Sequence, residues 1–178
     1  PVGDIPQPGG SYTSECRTWR TKVIQRLGDL KPQVMVMSSI RYVGTTVAQQ
    51  RAGLETTLAA IQPIVPRMVV IGDTPTPLGN VPACVSAHLG SLTACNNPRR
   101  VAVNAGREQA DRDVALAHGA VFVSTDDWIC TKTTCPVVIG NVLLFRDETH
   151  LSTAGSMFLL PYVELLMRPY AAAGGTAP

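Results

Sequence analysis

The chain has 178 residues, which suits one self-sufficient core and is short for two. A hydrophobic share of 45% against 16% charged residues marks a globular chain, and an aromatic share of 5% leaves aliphatic side chains to fill the interior. The net charge of +2 comes from 15 basic and 13 acidic residues spread along the chain, so no phosphate-tracking surface is implied and nucleic acid is excluded as an expected partner.

Residues 1–13 read as a Pro/Gly-rich leader without the charged head and apolar segment of an export signal, so any signal or membrane anchor is expected outside this chain. Ser14 is placed to cap a first helix in which Cys16, Trp19, Val23 and Leu27 recur at helical spacing, ended by Gly28 and Pro32. Residues 34–37 read as a short buried strand with the polar exit Ser38-Ser39-Ile40-Arg41-Tyr42. A second helix is expected over 46–61 with Val47, Leu54, Leu58 and Ile61 on one face, and 68–71 as the next strand. A Pro/Gly-rich loop runs from Gly72 to Pro82, and the segment between Cys84 and Cys95 reads as a surface excursion. Asn97 followed by Pro98 is the pattern of a helix start, with Asn as cap, and His118-Gly119 closes that helix. Residues 120–123 read as a strand with polar exit 124–128, and 142–145 as a last strand leading into Arg146 to His150. Ser152 caps a final helix that runs to about Met167 with a kink expected at Pro161, and 171–178 form an Ala/Gly tail.

Short aliphatic strands without polar alternation, separated by helices, indicate an α/β domain with a parallel sheet covered on both faces. In such sheets ligands bind at the carboxyl ends of the strands, where Ser38 to Tyr42, Gly72 to Pro75, Ser124 to Trp128 and Arg146 to His150 are expected to gather. No run approaches the ~20 apolar residues of a membrane span, since 137–145 and 157–167 are interrupted by Gly140, Asn141 and Pro161.

Five cysteines suggest an oxidising compartment. Cys130 and Cys135, and Cys84 and Cys95, read as local disulfide staples. A CxxxxC pair could instead hold zinc, but a structural zinc site wants four ligands and no second Cys/His cluster is present. Cys16 is left over, so its partner is expected outside this chain.

Asp147-Glu148-Thr149-His150 is the strongest chemical candidate. Three-residue spacing on a turn entering a helix lets a carboxylate reach the imidazole, fix its tautomer and stabilise the imidazolium, as a serine-hydrolase base requires. His118 reads as a helix-end residue favoured by the dipole, and His88 as solvent-facing in the small cysteine loop. Asp126 and Asp127 read as capping or substrate-contacting carboxylates, and Trp128 as a lid on the Cys130 staple.

The run Asn141-Val142-Leu143-Leu144-Phe145-Arg146-Asp147-Glu148-Thr149-His150-Leu151-Ser152 resembles the last block of the SGNH-hydrolase family, in the form found in the domain fused to bacterial acyltransferase-3 membrane proteins. Cys16-Arg17-Thr18-Trp19-Arg20, Lys31-Pro32-Gln33-Val34-Met35-Val36-Met37-Ser38, Ile71-Gly72-Asp73-Thr74-Pro75, and Asp127-Trp128-Ile129-Cys130 with Cys135-Pro136 are similar to the same subgroup. The resemblance implies one three-layer α/β/α SGNH-like domain over 1–178. It also implies O-acyl transfer to, or ester hydrolysis from, a cell-envelope glycan or glycolipid, with an acyl donor as second substrate and no metal or cofactor. His150 would be the general base and Asp147 its orienter. The domain would lie outside the cytoplasmic membrane, tethered by an N-terminal acyltransferase-3 membrane domain.

The family's Gly-Asp-Ser box is not in this sequence; Gly3-Asp4-Ile5 and Gly28-Asp29-Leu30 lack a hydroxyl, and Gly72-Asp73-Thr74 reads as a structural turn. Where the family carries Gly-x-Asn-Asp, this chain has Ser38, Ser39, Ile40 and Arg41, leaving Ser39 or Arg41 as candidate oxyanion donors. The expectation is therefore the C-terminal part of a longer domain, whose first strand, serine and partner for Cys16 lie upstream. The rival expectation is a non-catalytic module that positions a glycan acceptor.

Overall fold

The computed structural model describes residues 12–38 and 44–171. In chain order the elements are helix α1 (Tyr12–Leu30), strand β1 (Met35–Ser38), α2 (Val47–Ile61), β2 (Met68–Ile71) and α3 (Val81–Ala87). After a 3-10 turn at Leu92–Cys95 come β3 (Asn97–Pro98), α4 (Arg99–Ala102), α5 (Ala105–Ala117), β4 (Val121–Val123) and α6 (Asp126–Ile129). The two-residue strands β5 (Thr134–Cys135), β6 (Val138–Ile139) and β7 (Val142–Leu143) precede the last helix, α7 (Thr153–Ala171). These elements form two compact units. The first holds the described residues up to Asp73 together with Ala105–Ser124; the second holds Thr74–Asn104 and the described residues from Thr125 on.

The first unit contains the parallel sheet, in the order β1-β2-β4. Met68, Val69 and Val70 of the central strand are buried, as an apolar run flanked by strands on both sides requires, whereas β1 alternates between half-buried and exposed positions. Leu54, Leu58 and Ile61 of α2 pack with Val114 and Ala115 of α5 around Met68 and Val70. Val47 and Trp19, expected on buried faces, are instead exposed. Helix α2 starts at a capping box: the Gln49 amide donates to Thr46 Oγ1 at 3.2 Å, and the Thr46 amide donates to Gln49 Oε1 at 2.8 Å. The Arg107 guanidinium meets Asp111 at 3.3 Å inside α5; burial pushes the Asp111 carboxyl up, against the pull of Arg107. His118 is held between Gln62 and Glu55, with both ring nitrogens 2.9 Å from a side-chain oxygen, so it ties α5 to α2.

The second unit is built from short pieces around Val81, Ile129, Val137, Leu144, Phe145 and Leu159. Two disulfides fasten it, Cys84–Cys95 and Cys130–Cys135; loops this short gain roughly 2–3 kcal/mol each in a chain-entropy account. The segment from Cys84 to Cys95 is a helix followed by a 3-10 turn that lies on the surface, exposed over 86–91, with Cys95 turned in and buried. Trp128 stacks on Tyr162 of α7, with ring centroids 5.4 Å apart.

Asn97 does not cap a helix: Asn97 and Pro98 pair antiparallel with Thr134 and Cys135, and the Asn97 carboxamide accepts the Leu78 amide at 3.0 Å. Nor do residues 142–145 extend the parallel sheet. Val142 and Leu143 pair antiparallel with Val138 and Ile139 across the two-residue loop Gly140-Asn141, where Gly140 adopts φ +58°. Helix α7 runs on to Ala171 with Pro161 and Pro169 inside it.

Candidate active site

The Arg146–His150 turn belongs to the second unit, where it follows the β6–β7 hairpin. Buried Leu144 and Phe145 anchor its entry, and its exit is fixed by Ser152, whose amide donates to Leu144 O at 2.8 Å. An antiparallel bridge between Phe145 and Leu151, with the Arg146 amide donating to His150 O at 2.9 Å, closes the loop at its neck. Ser152 Oγ then accepts the Gly155 amide at 2.8 Å and starts α7.

Within this loop Asp147 organises its neighbours with both carboxylate oxygens. Oδ1 accepts the Thr149 amide at 2.8 Å and the His150 amide at 2.7 Å, an Asx-type turn that the Asp-x-x-His spacing makes available locally. Oδ2 faces His150 Nδ1 at 2.8 Å. A carboxylate there selects the tautomer with hydrogen on Nδ1, which leaves the Nε2 lone pair as the basic site. Nε2 makes no hydrogen bond to any described residue, and the imidazole is 57% exposed. Thr149 Oγ1 lies 3.1 Å from Nδ1, and Arg146 Nε lies 3.6 Å from Asp147 Oδ2. The arrangement presents an oriented imidazole with its free nitrogen open to a reacting group.

The Thr149 and His150 backbone amides, reinforced by the His150 ring, hold the Asp147 carboxyl well below the usual carboxylate range. The folded value is depressed relative to the unfolded one, so the stabilising contribution is fully present above the unfolded value of about 3.9 and is lost as pH falls from there toward the folded value. In a carbon-detected NMR titration the Asp147 carboxyl resonance should show no inflection near pH ~3.9. An ordinary titration there would mean that the two amides do not hold Oδ1.

Of the other candidates, Ser39 and Arg41 lie outside the described residues. Ser38 ends β1, and the Gly72 amide continues the β2–β4 ladder by donating to Val123 O at 2.8 Å. Asp127 pairs with Arg99 at 2.7 Å, while Asp126 is buried, so the two carboxylates do not form an acid/base pair. Cys84, His88 and Cys95 cluster closely, but the two sulfurs are bonded to each other, and His88 Nδ1 sits 2.9 Å from Cys84 O. That is a disulfide with an adjacent imidazole rather than a thiolate ligand set. Cys16 is a free, half-buried thiol. Asn80, Asn96 and the Asn97 read from sequence as a helix cap together line a pocket in the second unit that sequence reasoning missed. Their positions in two separated segments leave no local pattern to find.

Comparison with protein families matches residues 1–164 to the SGNH domain (fused to AT3 domains). Among solved structures, the periplasmic domain of a lipopolysaccharide acetyltransferase from Salmonella ser. Paratyphi A is similar, with a TM-score of 0.69 and 19% identity over 84% of this chain. The chain spans 62% of that structure's length, and at this identity the likeness speaks for the fold. No curated protein matches the sequence.

Proposed function

The chain belongs to the SGNH domain family fused to AT3 domains, and from that premise we propose that it takes part in O-acyl transfer to a cell-envelope glycan, or in removal of such an ester. The observation that carries this reading is the Asp147–His150 pair, with Nδ1 held by the carboxylate and Nε2 left open. In the proposed reaction Nε2 takes the proton of a serine hydroxyl as its oxygen attacks the acyl carbonyl of the donor. The tetrahedral intermediate collapses to an acyl-serine as His150 returns the proton to the departing donor group. A glycan hydroxyl, deprotonated by the same nitrogen, then attacks the acyl-serine, and as the serine oxygen leaves His150 returns the proton to it, so that the acyl group departs on the glycan and the serine is restored; water in place of the glycan gives hydrolysis. Asp147 keeps the imidazole oriented and stabilises its charged form throughout. The serine is proposed to come from a Gly-Asp-Ser strand outside this sequence, Ser39 and Arg41 to contribute to the oxyanion site, and Cys16 to pair with a cysteine of that outside segment.

The two disulfides support placement in an oxidising compartment, and the periplasmic origin of the similar acetyltransferase domain supports the outer side of the cytoplasmic membrane. The fused AT3 membrane domain of the family is the proposed tether and acyl supplier. A fluorophosphonate probe on the full-length protein tests the reading. Labelling is expected at one serine and should be lost in His150→Ala. A folded protein that takes no label would instead be an acceptor-positioning module.

A further inference from the structure

The second unit contains a half-open pocket of about 260 Å³, room for a single sugar ring or a cluster of waters. Its polar lining is Asn80, Asn96 and Asn97, and its apolar walls include Leu78, Val81 and Val137. Each asparagine spends its carbonyl oxygen on a backbone amide: Asn80 on Ala83 at 3.0 Å, Asn96 on Val137 at 3.3 Å and Asn97 on Leu78 at 3.0 Å. The amide flips are thereby fixed, and the NH2 groups are left as donors. Asn97 is only 5% exposed, yet its Nδ2 has no partner among the described residues and is not sealed from solvent. Asn97 is one of the residues that line the pocket. A donor with no protein partner that solvent still reaches is available to an acceptor from a ligand, which would take the place of water.

The walls are fixed in advance. Cys84 and Cys95, both lining residues, are cross-linked, and Asn97 is pinned by its pairing with Cys135, itself disulfide-bonded. A site held this way binds without the cost of ordering its own groups. No lysine or arginine lines it, and the Glu148 carboxylate, next in sequence to Asp147, lies 3.5 Å from Asn80 Nδ2. Amide donors with small apolar walls and no cation suit a neutral polyol rather than an anion.

We infer that this pocket seats one neutral sugar residue of the acceptor, its hydroxyl oxygens accepting from Nδ2 of Asn96 and Asn97. The inference rests on the acyl-acceptor reading above for the identity of its ligand. Asn80, which bridges from the pocket to Glu148, connects the seat to the loop that carries His150.

The test is a titration of the 15N-labelled chain with glucose and with N-acetylglucosamine, against glucuronate. Saturable shifts of the Asn96 and Asn97 side-chain NH2 resonances are expected with a neutral sugar, and weaker ones with glucuronate. Asn96→Asp keeps the oxygen that accepts the Val137 amide but removes the donor, and should weaken binding about five- to tenfold. No saturable shift with either neutral sugar, shifts that avoid these side chains, or tighter binding of glucuronate would overturn the inference, as would an Asn96→Asp protein that binds unchanged. His150→Ala should bind the sugar as the parent does while losing fluorophosphonate labelling of the full-length protein. Labelling without sugar binding would remove the seat and leave the catalytic reading standing, and binding without labelling would do the reverse.

Discussion

Replacing His150 by alanine is expected to lower acyl transfer by ~10²–10⁴-fold in the protein that carries the serine, with KM little changed. The imidazole contributes in the transition state, when the hydroxyl proton is in transit, and contributes little to holding the ground state, so the loss should fall on kcat. Asp147→Asn separates orientation from mere presence. An asparagine oxygen can still accept the Thr149 and His150 amides, which lie 2.8 and 2.7 Å from Oδ1, so the turn survives. Its NH2 would then face Nδ1 and select the wrong tautomer, with hydrogen on Nε2 where the lone pair is needed. The expected signature is an intact fold with a kcat close to that of the histidine variant. The measurement is steady-state kinetics on a p-nitrophenyl ester, with the 178-residue chain alone as a control expected to show no turnover. A His150→Ala enzyme that keeps its rate, or a chain that hydrolyses the ester by itself, would put the base somewhere else.

That pair was legible in the sequence because everything that shapes it is local: a carboxylate, two amides two and three residues on, and an imidazole at the third. The parallel strands were legible for a related reason. Uninterrupted runs such as Met68-Val69-Val70-Ile71 are stable only with neighbours on both sides, which β2 has. Where the reading failed, a distant partner outcompeted a local signal. Asn97-Pro98 carries the chemistry of a helix start, but the amide of Leu78, nineteen residues away, captures the carboxamide first. Residues 142–145 look like a sheet strand by their side chains. The Gly140-Asn141 step before them was the available clue, since glycine accepts the positive φ that a two-residue hairpin demands. The asparagine pocket had no such clue, because residues 80 and 96–97 become neighbours only after the Cys84–Cys95 segment has folded.

Gly155→Ala is expected to destabilise the second unit by about 3 kcal/mol, the upper end of what forcing extra atoms into a packed interior typically costs. A Cβ at this position would overlap Leu144 O and come within 2.9 Å of Leu144 C and 3.0 Å of its Cα. None of these atoms is the end of a flexible side chain. Leu144 is fully buried, its amide donates to Val137 O at 2.9 Å, and its carbonyl accepts the Ser152 amide at 2.8 Å, so the backbone is tied on both sides. Helix α7 would have to lift, and the Gly155 amide would leave Ser152 Oγ. Leu144 and Ser152 hold the two ends of the loop that carries Asp147 and His150, so the same displacement should loosen the 2.8 Å contact between them and lower activity beyond the loss of folded protein. Gly28→Ala in α1, where an added Cβ meets nothing within 4 Å, is the control. It exchanges glycine for a better helix former in open space and should be neutral or slightly stabilising, by up to ~1 kcal/mol. Urea unfolding of both variants, read beside the His150 ring resonances, checks the contrast. Equal midpoints for Gly155→Ala and the parent would mean that α7 does not lie against Leu144, and that something other than this close approach sets the position of the imidazole.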